Sequence, residues 1–535
     1  MAMVQMSAIP RFHAARKGAG AAVLTHDGCA VSWGELEVRA NQRARLFASV
    51  GVKAGDFVTI AMPNGNEFYE TTFAVWKLGA TPNPVPSMLP RAEFSAIIEL
   101  VKPSLVVGGD EQAVFGLNRL PANADASSLS SEPTDERLSP SWKAMTSGGS
   151  TGRPKVIVDR SPAAWDTEAF VLQQQADEVV LNPGPLYHNA PFSVTHLSLI
   201  FGAHVVGMHR FDPLEALRLI EAYKVSWVNL VPTMMHRIWS LPTGKRVAFD
   251  VSSLRIVFHM ASPMPPWLKQ AWIDWLGPER IWELYGGTER QGATIISGVE
   301  WLRHRGSVGR IQGEDQLKIF NEQGEECNPG EVGDIFFKSA GGQGSTYYYL
   351  GAKAKEREGG WESIGDMGWM DEEGYVYLAD RRTDLILRGG ANIYPAEVEA
   401  ALDAHPDVGS SVAIGLPDTE MGQRVHAIVQ PKAHASGRLN VADLQEFLMD
   451  RIARYKVPES YEFTDDYLRD DAGKVRRSAL RDERIAWLRK GRPSRSLIRV
   501  TLETHTALCR LEMLRFCTPA ELTGRPRQGW AWLTR

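Results

Sequence analysis

A segment dense in glycine and hydroxyl side chains reads Thr146-Ser147-Gly148-Gly149-Ser150-Thr151-Gly152-Arg153-Pro154-Lys155. Its glycines let the backbone approach a polyphosphate closely and turn N–H groups toward it. Its hydroxyl groups can donate hydrogen bonds to phosphate oxygens, and Lys155 offers a positive charge. A flexible Gly/Ser linker would need neither the Pro-Lys ending nor the apolar strand that follows it. We therefore predict a phosphate-binding loop, although it lacks the Gly-Lys-Ser/Thr sequence of a Walker loop.

Strand-like and helix-like segments alternate on both sides of this loop. The pattern predicts helices over 33–49, 67–78 and 214–223, and strands over 56–62, 103–107, 225–231 and 254–260. Such alternation is typical of a mostly parallel sheet that is covered on both faces. Residues 121–140 are rich in Ser, Pro and Asp, and they read as a polar connector.

The pattern changes after residue 306. Short strands with turn signals over 306–378 predict a small antiparallel, β-barrel-like part. A compact α+β segment follows, with helices over 395–404 and 441–452 and strands over 410–415 and 424–431. We therefore predict an α/β fold with three parts. They are a large N-terminal domain (1–382), a small mobile C-terminal domain (383–488), and a loosely ordered basic extension (489–535) that has ten Lys/Arg against three Glu.

Composition narrows the class of protein. The chain has 535 residues, which is too many for one ordinary core, and its net charge of -5 gives no hint of a nucleic-acid partner. Its four cysteines (Cys29, Cys327, Cys509 and Cys517) lack metal-ligand spacing and suggest reduced thiols. The N-terminal segment is a poor signal peptide, and no apolar run of 18 residues occurs. These features predict a cytoplasmic protein without a transmembrane segment.

The loop over 146–155 resembles the signature of the adenylate-forming superfamily, which includes acyl-CoA synthetases, peptide-synthetase adenylation domains and luciferases. The usual form of that signature is Ser/Thr-Ser-Gly-Thr-Thr-Gly-x-Pro-Lys. Gly148 stands where the family usually has Ser, which removes one hydroxyl but no backbone donor. Further motifs follow in the family's order and extend the resemblance over nearly all of residues 10–484.

Tyr285-Gly286-Gly287-Thr288-Glu289 resembles the family's Tyr-Gly-x-Thr-Glu motif. The resemblance implies that Tyr285 flanks adenine, Thr288 binds the α-phosphate, and Glu289 binds Mg²⁺ through carboxylate oxygen. Asp366, in Gly365-Asp366-Met367-Gly368, would accept both ribose hydroxyls. The positions assigned to ATP or AMP are Thr146, Ser147, Gly148, Gly149, Ser150, Thr151, Gly152, Lys155, Ala261, Ser262, Pro263, Glu283, Leu284, Tyr285, Gly286, Gly287, Asp366, Leu378 and Arg381.

The C-terminal segment carries the remaining family positions. Arg381 matches an arginine that contacts ribose and phosphate, and Thr383 stands at the hinge, where Asp or Lys is common. Arg388, Gly389 and Gly390 would line a tunnel for the pantetheine of CoA. Lys474, in a Gly-Lys motif, would contact carboxylate and α-phosphate oxygens. The resemblance therefore implies Lys474, His188, Thr288 and Glu289 as the catalytic residues.

The acid pocket is expected near His188, which the family places to orient the carboxylate. Its predicted lining is His188, Asn189, Phe192, Val231, Thr233, Met260, Ala261 and Gly287. No acidic residue occurs in the segments 231–235 and 259–265, which argues against an amino-acid substrate. The segments are apolar and rich in Met, so a bulky hydrophobic acid fits better than acetate. Within the superfamily, the sequence looks most like bile-acid and other bulky-acyl CoA ligases.

The activity expected from the resemblance is that of an AMP-forming acyl-CoA ligase that uses ATP, Mg²⁺ and CoA. It would form an acyl-adenylate, release pyrophosphate, and pass the acyl group to the CoA thiol. Three alternatives stay open: transfer to a carrier-protein thiol or an amine, a non-catalytic binding protein, and a luciferase-like oxygenase. The expected partners are the small-molecule acid, ATP and CoA, and a homodimer is plausible.

Overall fold

The computed structural model describes residues 3–109, 116–135, 137–148, 154–381, 384–388, 391–419, 421–470, 473–489 and 497–499. The helices are α1 (Ile9–Lys17), α2 (Trp33–Ser49), α3 (Asn66–Lys77), α4 (Arg91–Val101), α5 (Asn189–Ile200), α6 (Pro213–Tyr223), α7 (Pro232–Trp239), α8 (Thr243–Arg246), α9 (Pro266–Leu276), α10 (Gly298–Trp301), α11 (Pro395–Asp403), α12 (Val441–Met449) and α13 (Arg477–Arg489). Among these described residues, no helix has the length and apolar character needed to cross a bilayer.

The strands up to the phosphate loop are β1 (Met3–Gln5), β2 (Ala22–His26), β3 (Cys29–Ser32), β4 (Phe57–Ala61), β5 (Thr81–Pro84), β6 (Leu105–Gly108), β7 (Arg119–Leu120) and β8 (Ala144–Gly148). Those from the loop to the antiparallel part are β9 (Pro154–Asp159), β10 (Ala164–Asp166), β11 (Val179–Asn182), β12 (His204–Gly207), β13 (Trp227–Leu230), β14 (Ile256–His259), β15 (Ile281–Gly286), β16 (Ala293–Ser297), β17 (Ser307–Ile311), β18 (Gln316–Phe320) and β19 (Gly333–Lys338). The rest are β20 (Tyr347–Leu350), β21 (Lys355–Arg357), β22 (Trp361–Ser363), β23 (Asp366–Met370), β24 (Val376–Arg381), β25 (Ile386–Arg388), β26 (Ala391–Ile393), β27 (Val408–Asp418), β28 (Gly422–Pro431), β29 (Ser460–Phe463) and β30 (Leu497–Arg499).

Local sequence explains where the helices begin. Ser32 and Glu35 form a capping box at the start of α2, since each side chain bonds the other residue's backbone N–H. Asp212 caps α6 by accepting from the N–H groups of Leu214 and Glu215. Proline in the first turn begins α6, α7, α9 and α11, where its missing N–H costs nothing.

The centre of the large domain is a sheet in which β2, β12, β11, β13, β14 and β15 run parallel in that spatial order. Both faces are buried, because alternate side chains of β13 enter different apolar clusters: Trp227 lies on one face and Val228 on the other. A second parallel sheet, in the order β5-β4-β6-β7, comes from the first 120 residues. These two sheets confirm the predicted parallel α/β architecture.

Antiparallel strands extend the central sheet from β15 through β16, β17 and β24 to β23, β19 and β22. This region confirms the predicted antiparallel part over 306–378. A separate three-stranded sheet, β20-β9-β8, carries the phosphate loop between β8 and β9. The loop therefore joins two paired strands, which fix the distance between its two ends.

The last part of the chain has its own apolar cluster, which includes Ile386, Val398, Val425, Leu444 and Tyr461. Its sheet contains β25 to β29 with β30 at the edge, and α11 and α12 pack beside it. This small α+β unit confirms the predicted fold class, while the exact domain limits 1–382, 383–488 and 489–535 stay predictions. Of the basic extension beyond Arg489, only Leu497–Arg499 lies within the described residues.

The main difference from the predicted elements is β27, which runs to Asp418 although the expected strand ends at residue 415. The added residues include Pro417, and proline cannot donate to a strand ladder. Among the residues that the structure describes, β27 pairs only with β28, so it is an edge strand, where proline is tolerated.

Candidate active site

Four loops of the predicted site meet at one edge of the central sheet. His188 follows β11, Thr233 follows β13, Met260 follows β14 and Gly287 follows β15. Because these four strands are parallel neighbours, their carboxyl ends lie side by side. In open α/β sheets, ligands bind in the crevice at this edge. The fold thus brings together the predicted acid pocket and one wall of the predicted nucleotide site.

Lys155 occupies the start of β9, immediately after the phosphate loop. Its Nζ lies 3.0 Å from Glu289 Oε1 and 3.1 Å from the hydroxyl of Tyr349, which itself donates to Glu289 Oε1 at 2.6 Å. The three side chains come from sequence positions up to 194 residues apart. At the other end of the loop, Thr146 Oγ1 accepts from Asn83 Nδ2 at 3.2 Å.

Part of the loop lies outside the described residues. Gly149, Ser150, Thr151 and Gly152 fall in that gap, whereas for Ser147 and Gly148 the backbone of β8 is described. The register pairs Ser147 with Lys155, so the predicted phosphate-binding ends are adjacent.

Glu289 is suited to hold a divalent cation. Its side chain is buried (the residue is 5% exposed), and burial by itself would raise its pKa. The charge of Lys155 and the hydrogen bonds from Tyr349 and Lys155 outweigh burial and hold the pKa of Glu289 below its ordinary value. The second oxygen, Oε2, lies only 2.7 Å from the position of a Cβ built on Gly287. The glycine thus leaves room beside an anionic oxygen, which is the ligand Mg²⁺ prefers.

Tyr285 and Asp366 form the predicted adenosine side of the site. The Tyr285 hydroxyl donates to Asp366 Oδ2 at 3.0 Å, and its ring packs 6.0 Å from that of Phe337. Leu378 packs against the same apolar cluster. Asp366 and Arg381 are register partners on β23 and β24, so their backbones are adjacent, as a shared ribose contact requires. Thr288 lies half-buried between Gly287 and Glu289.

The turns that frame this site include strained backbone. Ala261, directly after Met260, has a φ of 79°, and Arg290, directly after Glu289, has a φ of 57°. Side chains with a Cβ rarely adopt this left-handed region, so each position costs about 1–2 kcal/mol. The segment Ala261-Ser262-Pro263 and the segment Gly286–Glu289 both lie at such turns. Two of the eight non-glycine residues with positive φ in the described part of the chain therefore lie beside predicted ligand contacts.

Glu283 has surroundings that differ from those of the other predicted ATP contacts. Its carboxylate accepts a short hydrogen bond from Lys269 of α9, and His259 Nε2 lies 3.7 Å away. Burial raises the pKa of Glu283 and lowers that of Lys269. The Glu283 carboxylate is thus already bound by Lys269. Leu284 packs beside Met260 in an apolar cluster. The predicted ATP contacts of these two residues stay predictions.

The acid pocket begins at His188, which is the N-cap residue of α5, with its ring 4.5 Å from that of Tyr187. Phe192, one turn later, is buried against Trp142 and His196. Val231 and Met260 are mostly buried and apolar. Phe192, Val231 and Met260 are thus buried and apolar, while the pocket lining as a whole, with His188, Asn189 and Thr233 as its polar members, stays a prediction.

The C-terminal unit reaches this pocket through Gly473, the residue before Lys474. A Cβ built on Gly473 would lie 2.4 Å from Thr233 Oγ1 and 3.4 Å from Ser262 Oγ, and Gly473 has a φ of 74°. Asp470 holds the Lys474 segment, because its carboxylate accepts from the Lys474 N–H at 2.8 Å. The structure therefore places Gly473, the residue before the predicted catalytic lysine, against Thr233 and near Ser262.

The predicted CoA contacts are only partly described. Arg388 forms a hydrogen-bonded ion pair with Glu459. Gly389, Gly390 and the predicted hinge residue Thr383 lie outside the described residues.

Sequence reasoning missed two residues of the site. Tyr349 completes the contact with Lys155 and Glu289, and the three consecutive tyrosines at 347–349 gave no positional signal. Lys143 is buried next to the pocket and bonds Asn189. Its signal was available: a charged residue directly precedes the apolar start of β8.

Comparisons with known proteins identify the family. Residues 11–348 match the family described as AMP-binding enzyme, and residues 397–474 match the AMP-binding enzyme C-terminal domain. A feruloyl-CoA synthase of Amycolatopsis sp is 31% identical over 482 residues, which cover 87% of this chain and 96% of the relative. A 2-succinylbenzoate–CoA ligase of Bacillus licheniformis is 30% identical over 481 residues, with 86% and 98% covered.

A solved structure has the same fold. The o-succinylbenzoate coenzyme A synthetase from Bacillus subtilis, in complex with ATP and magnesium ion, superposes with a TM-score of 0.77 at 24% identity. The match covers 90% of this chain and 100% of that one. Together with the family match over most of the chain, these findings show that the protein belongs to the AMP-binding enzymes of the adenylate-forming superfamily, as an AMP-forming acid–thiol ligase.

Proposed function

We propose that the protein is an acyl-CoA ligase for a bulky hydrophobic carboxylic acid, aromatic or fused-ring, and that it uses ATP, Mg²⁺ and CoA. The observation that carries the proposal is the meeting of three parts at one sheet edge: the Lys155–Glu289–Tyr349 group, the apolar pocket beginning at His188, and the Gly473 contact that brings in Lys474. Both relatives described above are named as CoA ligases of aromatic acids.

In the first half-reaction, a carboxylate oxygen of the acid attacks the α-phosphorus of ATP. The bond from that phosphorus to the bridging oxygen breaks, and pyrophosphate leaves. Bound at Glu289, Mg²⁺ supplies positive charge that stabilises the leaving pyrophosphate. Lys155 neutralises phosphate charge from the other side, and Lys474 stabilises charge on the α-phosphoryl and carboxylate oxygens. His188 orients the carboxylate, so that most of the catalysis is positioning and charge stabilisation.

Lys155 and Glu289 change partners when the nucleotide binds. Each is the other's ion-pair partner in the structure, at 3.0 Å. When phosphates enter, Lys155 turns to them, while Tyr349 keeps its hydrogen bond to Glu289 and holds the carboxylate in place. The pair thus keeps both charges compensated in a buried site until the substrate arrives.

In the second half-reaction, the CoA thiol attacks the carbonyl carbon of the acyl-adenylate. The thioester bond forms, the acyl–phosphate bond breaks, AMP leaves, and the thiol gives up its proton. We infer that the C-terminal unit turns about Thr383 between the two steps. This rotation withdraws Lys474. It also brings in the segment of Arg388, Gly389 and Gly390, which then lines the path of the pantetheine arm.

The test is a panel of acids assayed for pyrophosphate release with and without CoA. The panel contains acetate, an amino acid, fatty acids, ferulic acid, 2-succinylbenzoic acid and bile acids. The proposal expects pyrophosphate release with at least one bulky hydrophobic acid, and an acyl-CoA product of the corresponding mass when CoA is added. Lys155→Met should lower the rate about 100-fold, because it removes a charge that stabilises the transition state.

Two outcomes would contradict different parts of the proposal. Turnover of acetate or an amino acid in preference to every bulky acid would overturn the substrate class. An acyl-adenylate that CoA does not consume, but that a holo-carrier protein or an amine does, would overturn the acceptor and leave adenylation standing.

A further inference from the structure

A buried lysine lies beneath the acid pocket. Lys143 directly precedes β8 and is only 2% exposed. Its ammonium group donates to Asn189 Oδ1 and, at 2.7 Å, to Ser193 Oγ, both on α5. The same Nζ lies 4.4 Å from the ring centroid of Trp142. Burial of a lysine is costly, so a lysine kept at this position calls for an explanation.

The lysine belongs to a chain of charges that starts at the nucleotide motif. Arg290, the residue after Glu289, donates to Asp159 Oδ2 at 3.0 Å, and Asp159 Oδ2 lies 4.0 Å from Lys143 Nζ. Burial opposes the charge of Asp159, but Lys143 and Arg290 hold its pKa below the ordinary value. Burial lowers the pKa of Lys143 to about 7, against the attraction of Asp159. The chain of contacts ends at Asn189, inside the predicted pocket.

The contact with Lys143 decides which way the Asn189 amide points. Lys143 Nζ donates to both Asn189 Oδ1 and Ser193 Oγ. In the ammonium form, which the nearby charge of Asp159 favours, it has three donors and no acceptor, so the amide oxygen faces it. Ser193 Oγ donates to the same oxygen at 3.2 Å. The other end of the amide, Nδ2, donates to no residue that the structure describes, and Asn189 is half-buried. Asn189 thus presents N–H donors beside His188, at the carboxyl edge of the parallel strands.

We propose that Lys143 is a positioning residue that fixes the Asn189 amide as a hydrogen-bond donor in the acid pocket, so that the enzyme favours acids whose hydrophobic body carries an acceptor oxygen. This inference rests on the proposed function, since it concerns the acid of that reaction. The oxygen would be a carbonyl, ether or hydroxyl oxygen. An acid without it would desolvate the Nδ2 donors without replacing their hydrogen bonds, which lowers affinity about tenfold.

The decisive variant is Asn189→Asp, which is nearly isosteric. One carboxylate oxygen keeps the contact with Lys143, while the other replaces the donor with an acceptor. The probes are two pairs of acids that differ by one oxygen: 4-methoxycinnamate with 4-ethylcinnamate, and 3-oxocholanoate with cholanoate. Pyrophosphate release gives kcat and KM for each acid.

For the wild-type enzyme we expect kcat/KM to be about tenfold higher for the oxygenated member of at least one pair. This difference should come from a lower KM for that acid and not from kcat. In Asn189→Asp the preference should disappear or reverse, while KM for ATP stays unchanged. Equal kcat/KM within both pairs in the wild type would overturn the proposal, as would a preference that survives Asn189→Asp.

Lys143→Met tests the positioning role. It should remove the preference through KM for the acid, with KM for ATP unchanged. A matched control is Lys77→Met, because Lys77 is also buried and forms an ion pair, with Glu37 of α2. That control should keep the preference. If Lys143→Met does not fold, Asn189→Asp still decides the matter, since it keeps the buried contact. A wild-type enzyme that releases no pyrophosphate with any acid would instead mark the failure of the proposed function.

Discussion

Gly287 leaves space for the Glu289 carboxylate because glycine has no side chain. The position of a Cβ there lies 2.7 Å from Glu289 Oε2 and 3.1 Å from Ile364 Cγ2. Its φ is not in the left-handed region, so alanine could adopt the backbone conformation. The glycine is therefore needed for space beside a carboxylate, and not for backbone freedom.

Gly287→Ala should raise the Mg²⁺ concentration needed for half-maximal adenylation by roughly tenfold, because the methyl group displaces the Glu289 carboxylate from its position. The melting temperature should change little, since the displaced atom is the end of a flexible side chain. The measurement is pyrophosphate release across a Mg²⁺ titration, with Gly244→Ala as the control, because a Cβ at Gly244 meets no atom within 4 Å. An unchanged Mg²⁺ dependence would exclude Glu289 as the cation ligand.

At the scale of single residues, the sequence predicts those site residues that lie close together within one short motif. The loop from Thr146 to Lys155 and the motif from Tyr285 to Glu289 each carry their chemistry within ten residues, so the pattern alone identifies them. Tyr349 could not be found in this way, because its place beside Lys155 comes from the pairing of β20 with β9, almost 200 residues apart. Lys143 differs in this respect: its charge directly before the apolar start of β8 was a visible signal, although its burial depends on the tertiary packing around β8.

Among the elements, the turn before α13 carries a close contact between the two units. Gly473 lies against Thr233 of α7, with a φ of 74° that disfavours any side chain. Neighbouring contacts are weaker, since Arg476 lies 3.7 Å from Glu93 on the surface. The glycine therefore decides how closely the Lys474 segment can approach the pocket.

Gly473→Ala should slow adenylation about 100-fold, because the added methyl group would lie 2.4 Å from Thr233 Oγ1 and keep Lys474 from its position. Thioester formation from chemically prepared acyl-adenylate should be nearly unchanged, since that step does not use Lys474. Both half-reactions can be followed separately, by pyrophosphate release and by acyl-CoA formation. Equal losses in the two would show that the contact has no selective role in adenylation.

Thr383→Pro should give the opposite result. Proline fixes φ near −65° and restricts the residue before it, so a hinge at this position could no longer turn. We expect acyl-CoA formation to fall about tenfold or more while pyrophosphate release in a single turnover is kept. A variant that loses both steps equally, or neither, would place the hinge elsewhere.

The molecule as a whole carries buried histidines that make its stability depend on pH. Burial lowers the pKa of His196 to about 3 and that of His236 to about 4, and it lowers the pKa of His259 as well. The unfolded chain protonates these rings near pH 6.5, so below that pH it binds more protons than the folded protein does. Stability is therefore full above about pH 6.5 and falls as the pH drops. Asp403 opposes this trend in part, because burial raises its pKa to about 6.

His196→Phe should reduce the acid sensitivity. Each buried neutral histidine costs about 1.4 kcal/mol for each pH unit below its unfolded pKa. His196 lies among aromatic rings, 4.2 Å from Phe192 and 5.3 Å from Trp76, so phenylalanine suits the space. The measurement is the melting temperature at pH 7.5 and pH 5.0, with His434→Phe as an exposed control. The proposal fails if wild type and His196→Phe lose the same stability between the two pH values.

At this scale, fold class was the most predictable property. Two parallel sheets, an antiparallel region and a small α+β unit all follow from periodicity and turn signals. The approach of the Gly473 turn to the pocket was not predictable from residue patterns, because it depends on how two separately folded units pack.

The Gly473 contact also has a consequence for timing. In the structure the Gly473 turn already lies against Thr233, and in the proposed cycle the first half-reaction starts from this arrangement without a large movement. In the proposed cycle, the diffusive rotation of a unit of about one hundred residues falls entirely after pyrophosphate has left. Solvent friction then acts on the second half-reaction alone. In this cycle, the Gly473 turn keeps the CoA thiol away from the acyl-adenylate until the rotation occurs. The acyl-adenylate therefore forms before CoA can reach it.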